Sequence, residues 1–228
     1  MKTIGLIGGM SWESSAFYYR IINEEVKERL GGLHSAKCIL YSVDFHPIEK
    51  YQATGQWEKA SEIITKAAQS LQTAGADIII LCTNTMHKVF NVVSATIDVP
   101  MLHIAHATGK ALTKENISRV GLLGTKYTME HSFYKGELHA LGFQVILPDE
   151  NDINLINQII FEELCLGEIR PTSREKLNQI INQLGIQGAE GIILGCTELG
   201  LFQFQSNKMP IFDTTRIHAI SAVEYALA

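Results

Sequence analysis

The sequence predicts an α/β protein of two similar half-domains, each a four-stranded parallel sheet flanked by helices, related by a pseudo-two-fold duplication. Three observations carry that prediction. Short runs rich in Ile, Leu and Val alternate with longer amphipathic stretches along the 228 residues. Uninterrupted apolar runs suit strands buried on both faces, and regular strand–helix alternation is the pattern of a parallel sheet covered by helices on both sides. Segments of the first half also recur in the second, in the same order.

In chain order, strands are predicted over 3–7, 37–43, 77–82, 101–104, 119–123, 144–147, 191–194 and 209–212. The first runs at once into Gly8-Gly9, a turn signal, and the third contains the longest apolar run, Ile78 to Cys82. Helical patterns lie between them over 14–30, 57–74, 151–166 and 173–184.

The repeat is specific. Gly75-Ala76-Asp77-Ile78-Ile79-Ile80-Leu81-Cys82-Thr83-Asn84-Thr85 matches Gly188-Ala189-Glu190-Gly191-Ile192-Ile193-Leu194-Gly195-Cys196-Thr197-Glu198 without a gap, at a spacing of 113 residues (Gly75 to Gly188). Ile4-Gly5-Leu6-Ile7-Gly8 resembles Val120-Gly121-Leu122-Leu123-Gly124 at a spacing of 116, and Val99-Pro100-Met101-Leu102 resembles Met209-Pro210-Ile211-Phe212 at 110. Strand-to-loop junctions resemble one another generically, but three ordered matches at nearly equal spacing favour duplication. The expected division is a first half over 1–112, with a C-terminal helix over 213–228 packing back on it, and a second half over 113–212. Ligands of open α/β sheets bind beyond the C-terminal ends of the strands, so the site is expected in a cleft between the halves.

Composition narrows the function. The formal charge is −5, with scattered Lys and Arg, which offers no basic field for a polyanion and argues against nucleic-acid binding. No apolar run approaches the roughly 18 residues that span a bilayer, so no membrane association is expected. Four cysteines (Cys38, Cys82, Cys165, Cys196) lack CxxC spacing and read as reduced thiols of a cytoplasmic protein.

The candidate chemistry sits where the repeated strands end. Cys196-Thr197-Glu198 supplies a thiol, a hydroxyl and a carboxylate; Thr83-Asn84-Thr85 supplies two hydroxyls and an amide at the matching place. Hydroxyls, amides and free backbone N–H groups at such a turn hold a carboxylate, and a thiol in an electropositive setting is a usable base. A free cysteine is equally at home as a small buried hydrophobe. The Gly8-Gly9-Met10-Ser11-Trp12 stretch would let backbone N–H groups approach a ligand, although it is not a dinucleotide fingerprint. His87, His103 and His131 are isolated in sequence and read as satisfied histidines rather than metal ligands; Asp213, after the last strand, reads as a helix cap.

Gly5-Leu6-Ile7-Gly8-Gly9-Met10-Ser11-Trp12-Glu13-Ser14, Cys82-Thr83-Asn84-Thr85-Met86-His87 and Gly195-Cys196-Thr197-Glu198 resemble the aspartate/glutamate racemase family, over essentially the whole chain. The stretch from Ile156-Asn157-Gln158 to Glu162-Glu163-Leu164-Cys165-Leu166-Gly167 is similar to the enterobacterial L-aspartate/glutamate-specific, broad-specificity branch. The resemblance implies amino-acid racemisation by two bases at Cα, without pyridoxal phosphate, metal or nucleotide, in a homodimer. Cys196 matches the second catalytic cysteine, which attacks the L enantiomer. The first motif of many members is Cys-Asn-Thr; here Thr83 precedes Asn84-Thr85, and Cys82 lies one step earlier. The internal repeat likewise pairs Thr83 with Cys196 and Cys82 with Gly195, and one step along a strand reverses side-chain direction, so Cys82 is expected to face the core and Thr83 the cleft. The implied catalytic pair is Thr83 and Cys196, and the implied substrate-binding set is Met10, Gln52, Thr83, Asn84, Thr85, Thr125 and Thr197.

Two departures bear on substrate. Many aspartate racemases carry an Arg in the loop after the second strand, where this chain has Ile48-Glu49-Lys50-Tyr51-Gln52. Many members also carry a Lys where this chain has Cys165. Without both cations a strict preference for acidic side chains is weakened, and neutral polar amino acids become credible substrates. The competing readings are a hydantoin racemase, maleate isomerase or malonate-type decarboxylase on the same fold, and a non-catalytic amino-acid binding protein.

Overall fold

A computed structural model describes residues 1–202, 204 and 209–228. Strands β1 (Ile4–Gly8), β2 (Cys38–Ser42), β3 (Ile78–Leu81) and β4 (Met101–Leu102) form a parallel sheet in the order β2-β1-β3-β4. Strands β5 (Arg119–Gly124), β6 (Gln144–Ile146), β7 (Gly191–Gly195) and β8 (Ile211–Asp213) form a second parallel sheet in the order β6-β5-β7-β8. The two orders are the same once renumbered, and the repeat spacings carry β1 into β5, β3 onto β7 and β4 onto β8. Burial follows this order. The central strands β1, β3 and β7 are buried throughout and β5 nearly so, whereas the edge strands β2 and β6 are largely open.

The chain divides into two units, Met1–Ile104 with His218–Ala228, and Ala105–Ile217. The division falls after the first residue of helix α5 (Ile104–Lys114) and after the fourth of helix α10 (Thr214–Leu227). Position 112, named from the sequence, lies inside α5. A helix is grouped with what its side chains pack on. For α5 that includes Tyr134, whose hydroxyl donates to Thr108 Oγ1 at 3.1 Å, and Leu141 and Phe143, which lie against Gly109.

In the first unit, alternation along the strands builds two cores. Ile4, Leu6, Ile78, Ile80 and Cys82 point to one face, where they meet Tyr18, Ile21, Ile22 and Val26 of α1 (Trp12–Leu30) and Ala219, Ala222 and Val223 of α10. Ile7, Ile79 and Leu81 point to the other, against Ile48 of α2 (Phe45–Ala53), and Ile64, Ala67, Ala68 and Leu71 of α3 (Trp57–Thr73). Helix α1 begins where Ser11 caps it, accepting from the Ser14 N–H at 3.3 Å, and ends at Gly31, whose φ of 72° a residue with a Cβ rarely adopts. A short helix α4 (Phe90–Ser94) completes the unit.

In the second unit, α6 (Lys126–Glu130), α7 (Ser132–Ala140), α8 (Glu150–Glu162) and α9 (Pro171–Ile186) cover the sheet, with α8 and α9 both packed on β5. Asp149 caps α8 by accepting from the Asp152 N–H at 2.9 Å, and Pro171 opens α9 at a position where no N–H is needed. The helix read from the sequence over 151–166 stops at Glu162. Glu163 leaves helical geometry at φ −125°, a single 3-10 turn (Leu164–Leu166) follows, and left-handed Gly167 ends it. The strand read over 101–104 likewise stops at Leu102, because Ile104 already starts α5.

Candidate active site

In each sheet the chain leaves the first strand, crosses to one edge, and then returns to the other side of that first strand. The reversal puts a topological switch point between β1 and β3 in one unit and between β5 and β7 in the other, and loops at the C-terminal ends of such strands are where α/β proteins bind ligands. Of the implied catalytic and substrate-binding residues, all except Gln52 follow one of these four central strands.

In the first unit, β1 leads into Gly8-Gly9-Met10. Gly9 has φ +94°, and a Cβ there would run into the backbone of Val43. Of the main-chain N–H groups in this stretch, that of Gly9 is already engaged within the fold. That N–H donates to Ser15 Oγ at 2.7 Å in a buried bond that ties the turn to α1. Met10 is buried, its side chain packed with Ile48 and Met86 in the core. The segment read as a loop around Gln52 is the last part of α2, and Gln52 is part-buried, donating from Nε2 to Met86 Sδ at 3.0 Å. Beyond β3, Cys82 is fully buried in the core and Thr83 is partly exposed. Burial pushes the Cys82 thiol far up, out of the range of a working base. Asn84 is buried and Thr85 partly exposed at the start of a 3-10 turn (Thr85–Val89).

In the second unit, Gly124 and Gly195 are register partners, so Thr125 and Cys196 emerge side by side from adjacent strands. Thr125 caps α6, its hydroxyl accepting from the Thr128 N–H at 3.3 Å, and Thr128 packs where a Cβ on Gly195 would lie at 3.1 Å. Thr214, fully buried at the start of α10, donates to the Leu194 carbonyl at 2.8 Å and braces the end of β7. Cys196 is buried and donates from Sγ to Glu198 Oε2 at 3.0 Å; Thr197 donates to the same oxygen at 2.6 Å. Burial, and then the neighbouring Glu198 carboxylate, hold the thiol well above its ordinary value. At rest it is an S–H group with its acceptor already in place. Asp213 caps α10, accepting from the N–H groups of Thr215 at 2.9 Å and Arg216 at 3.3 Å.

His87 and His103 are not isolated in the fold. Their ring centroids lie 4.8 Å apart, and His218 stands 5.6 Å from His87. His218 came from no motif; only the tertiary structure brings residue 218 beside residue 87. His131 instead stacks on Tyr127 at 5.2 Å. Among the described residues no group of three or more His, Cys, Asp or Glu side chains is arranged to hold a metal ion, and no helix is long and apolar enough to cross a membrane.

Residues 7–222 match the family model described as Asp/Glu/Hydantoin racemase. The chain is 29% identical, over 75% of its length and 74% of the relative's, to the broad specificity amino-acid racemase RacX of Bacillus subtilis. Among solved structures, one from Yersinia pestis assigned as an Asp/Glu racemase is 53% identical with a TM-score of 0.95, and an aspartate racemase homologue from Pyrococcus horikoshii OT3 is 35% identical with a TM-score of 0.89; each comparison covers all of both chains. With the family model spanning nearly its whole length, the chain belongs to the Asp/Glu/hydantoin racemase family.

Proposed function

We propose that the protein racemises amino acids at Cα by two-base proton transfer, without pyridoxal phosphate, metal or nucleotide. The observation that carries this reading is the Cys196–Glu198 hydrogen bond at the C-terminal end of a central strand, in a chain matched to the racemase family over residues 7–222. Glu198 takes the thiol proton, and the resulting thiolate removes the Cα proton of an L-amino acid. The electron pair left on Cα spreads into the substrate carboxylate. Stabilising that carbanion-like state requires donors aimed at the carboxylate, a task we assign to Asn84, Thr85, Thr125 and Thr197 with main-chain help from Met10. Thr83, or a water it relays, returns a proton to the opposite face. A hydroxyl is a poorer acid and base than a thiol, so the two directions run at unequal speed.

The substrate class we infer is polar amino acids, acidic and neutral. Gln52 stands near the position where many relatives place a cation, and Cys165, exposed on the 3-10 turn after α8, replaces another. A homodimer and a cytoplasmic setting go with the family reading, and sedimentation velocity tests the former. The activity is tested by incubating dialysed, chelator-treated protein in heavy water with L- and D-amino acids and following Cα deuteration by NMR. Exchange without added cofactor is the expected result. Loss of turnover on chelation, restored by a metal, contradicts the cofactor-free reading, and binding without exchange contradicts the enzyme reading.

A further inference from the structure

The turn that carries Thr83 has an unusual closure. In an α-helix the carbonyl of Thr83 would accept from the N–H of His87. Here the turn is 3-10, the His87 N–H goes to the Asn84 carbonyl at 3.0 Å, and the carbonyl of Thr83 is left outside the ladder. The His87 ring takes it instead, with Nδ1 at 2.8 Å from the Thr83 oxygen. The other ring nitrogen, Nε2, accepts from the N–H of Ile104 at 3.2 Å. Ile104 is the first residue of α5, so its N–H has no partner within that helix. One imidazole therefore satisfies two backbone groups that secondary structure leaves over. Both bonds form together in one state only: neutral, with the proton on Nδ1.

The surroundings hold the ring in that state and place. His87 is 3% exposed, stacked on Phe90 at 5.7 Å between centroids with planes 9° apart, and edge-on to His103. Burial, reinforced by His103 and His218, keeps its pKa well below the usual histidine value. His218 is itself locked, donating from Nε2 to the Leu102 carbonyl at 3.0 Å and accepting at Nδ1 from the Tyr18 hydroxyl at 3.0 Å. A neutral ring fixed on every side is a poor proton carrier and a good strut.

We propose that His87 is a positioning residue: its Nδ1–H sets the main chain of Thr83, and so the direction of the Thr83 hydroxyl, while its Nε2 anchors that turn to the start of α5. This rests on the reading of Thr83 as the second acid–base. Two variants separate the bonds. An Asn carboxamide nitrogen lies as many bonds from Cα as Nδ1, so His87→Asn keeps the donor to Thr83 and loses the acceptor for Ile104. A Gln carboxamide oxygen lies as many bonds from Cα as Nε2, so His87→Gln keeps the Ile104 bond and loses the one to Thr83.

The test takes the full-length protein and both variants, with folding checked by circular dichroism. His87→Gln is expected to lose inversion kcat on the order of 10²-fold with KM little changed, because the reacting hydroxyl is misplaced rather than the substrate released. Cα deuteration of L-substrate through Cys196 should persist in that variant. His87→Asn should lose far less inversion kcat than His87→Gln, yet show faster amide exchange at Ile104. In the native protein, 15N correlation spectra should show the His87 proton on Nδ1. Equal inversion rates in the two variants, or a native ring protonated on Nε2, overturns the proposal. A native protein that shows no Cα chemistry defeats the racemase reading by itself. The ring tautomer and the opposite exchange behaviour of Ile104 in the two variants then still decide whether His87 holds the turn.

Discussion

Cys196 Sγ and Glu198 Oε2 lie 3.0 Å apart, with the thiol donating. The carboxylate disfavours a free thiolate by its charge; in the proposed mechanism it also accepts the thiol proton when substrate arrives. Glu198→Gln should therefore uncouple reactivity from turnover. Removing the charge lowers the thiol's pKa, so the pH midpoint for Cys196 alkylation, followed by peptide-resolved mass spectrometry, should fall. Racemisation should drop on the order of 10²-fold, the usual contribution of a positioned base. An unchanged turnover would show that Glu198 takes no proton.

The two strand-end cysteines should respond differently to the same change. Cys196→Ala should abolish Cα exchange of L-substrates and leave the fold intact. Cys82 is packed between strands and α1, so Cys82→Ala should cost about 1 kcal/mol of stability through the small cavity it leaves. It should keep most of the activity. A folded but inactive Cys82→Ala protein would move the first catalytic position from Thr83 to Cys82.

Buried histidines should make the fold acid-sensitive. Burial pushes His218 down to about 4 in the native state, against roughly 6.5 in an unfolded chain. Between those values the unfolded chain binds the proton and the native one does not, so stability is highest above pH 6.5 and falls as the pH drops toward 4. The loss attributable to His218 is on the order of 3 kcal/mol. His87 is shifted in the same direction, and Tyr18 and His103 are the other titratable groups nearby. In urea titrations His218→Gln should be less stable than the native protein near neutrality, with a shallower loss between pH 6.5 and 4. Parallel curves would remove His218 as the source.

The central strands were legible because burial on both faces leaves an unbroken apolar run: Ile78 to Leu81 and Gly191 to Leu194 announce themselves, and the 113-residue repeat aligns them. The same register led to the expectation that Cys82 faces the core, and Cys82 is buried there. Asp213 was legible as a cap because its chemistry is local. Helix α2 was not: only Ile48 of its nine residues is buried, too little for a periodic signal. The end of α8 at Glu162 was equally hidden, because Ile159, Ile160 and Leu164 continue an apolar pattern through the break. The histidine cluster depends on contacts among residues 87, 103 and 218, which no local spacing encodes.

Replacing the hydroxyl by a thiol should restore symmetry. Thr83→Cys puts a far better acid at the weaker position, and D-substrate turnover should rise if the new thiol ionises. An inert or harmful Thr83→Cys would mean that the native residue already serves as a full acid–base.

The asymmetry of the two faces is tested most directly by initial rates in heavy water, comparing Cα deuteration with inversion for each enantiomer. In the proposed mechanism the thiol of Cys196 returns a proton more readily than a hydroxyl or relayed water does, so the carbanion often recaptures a solvent-derived proton from Cys196. L-substrate should then gain deuterium at Cα faster than D-product appears, and D-substrate should react slowly, with KM values compensating so that the equilibrium constant stays at one. Equal exchange rates for the two enantiomers, each matching inversion, would contradict the account.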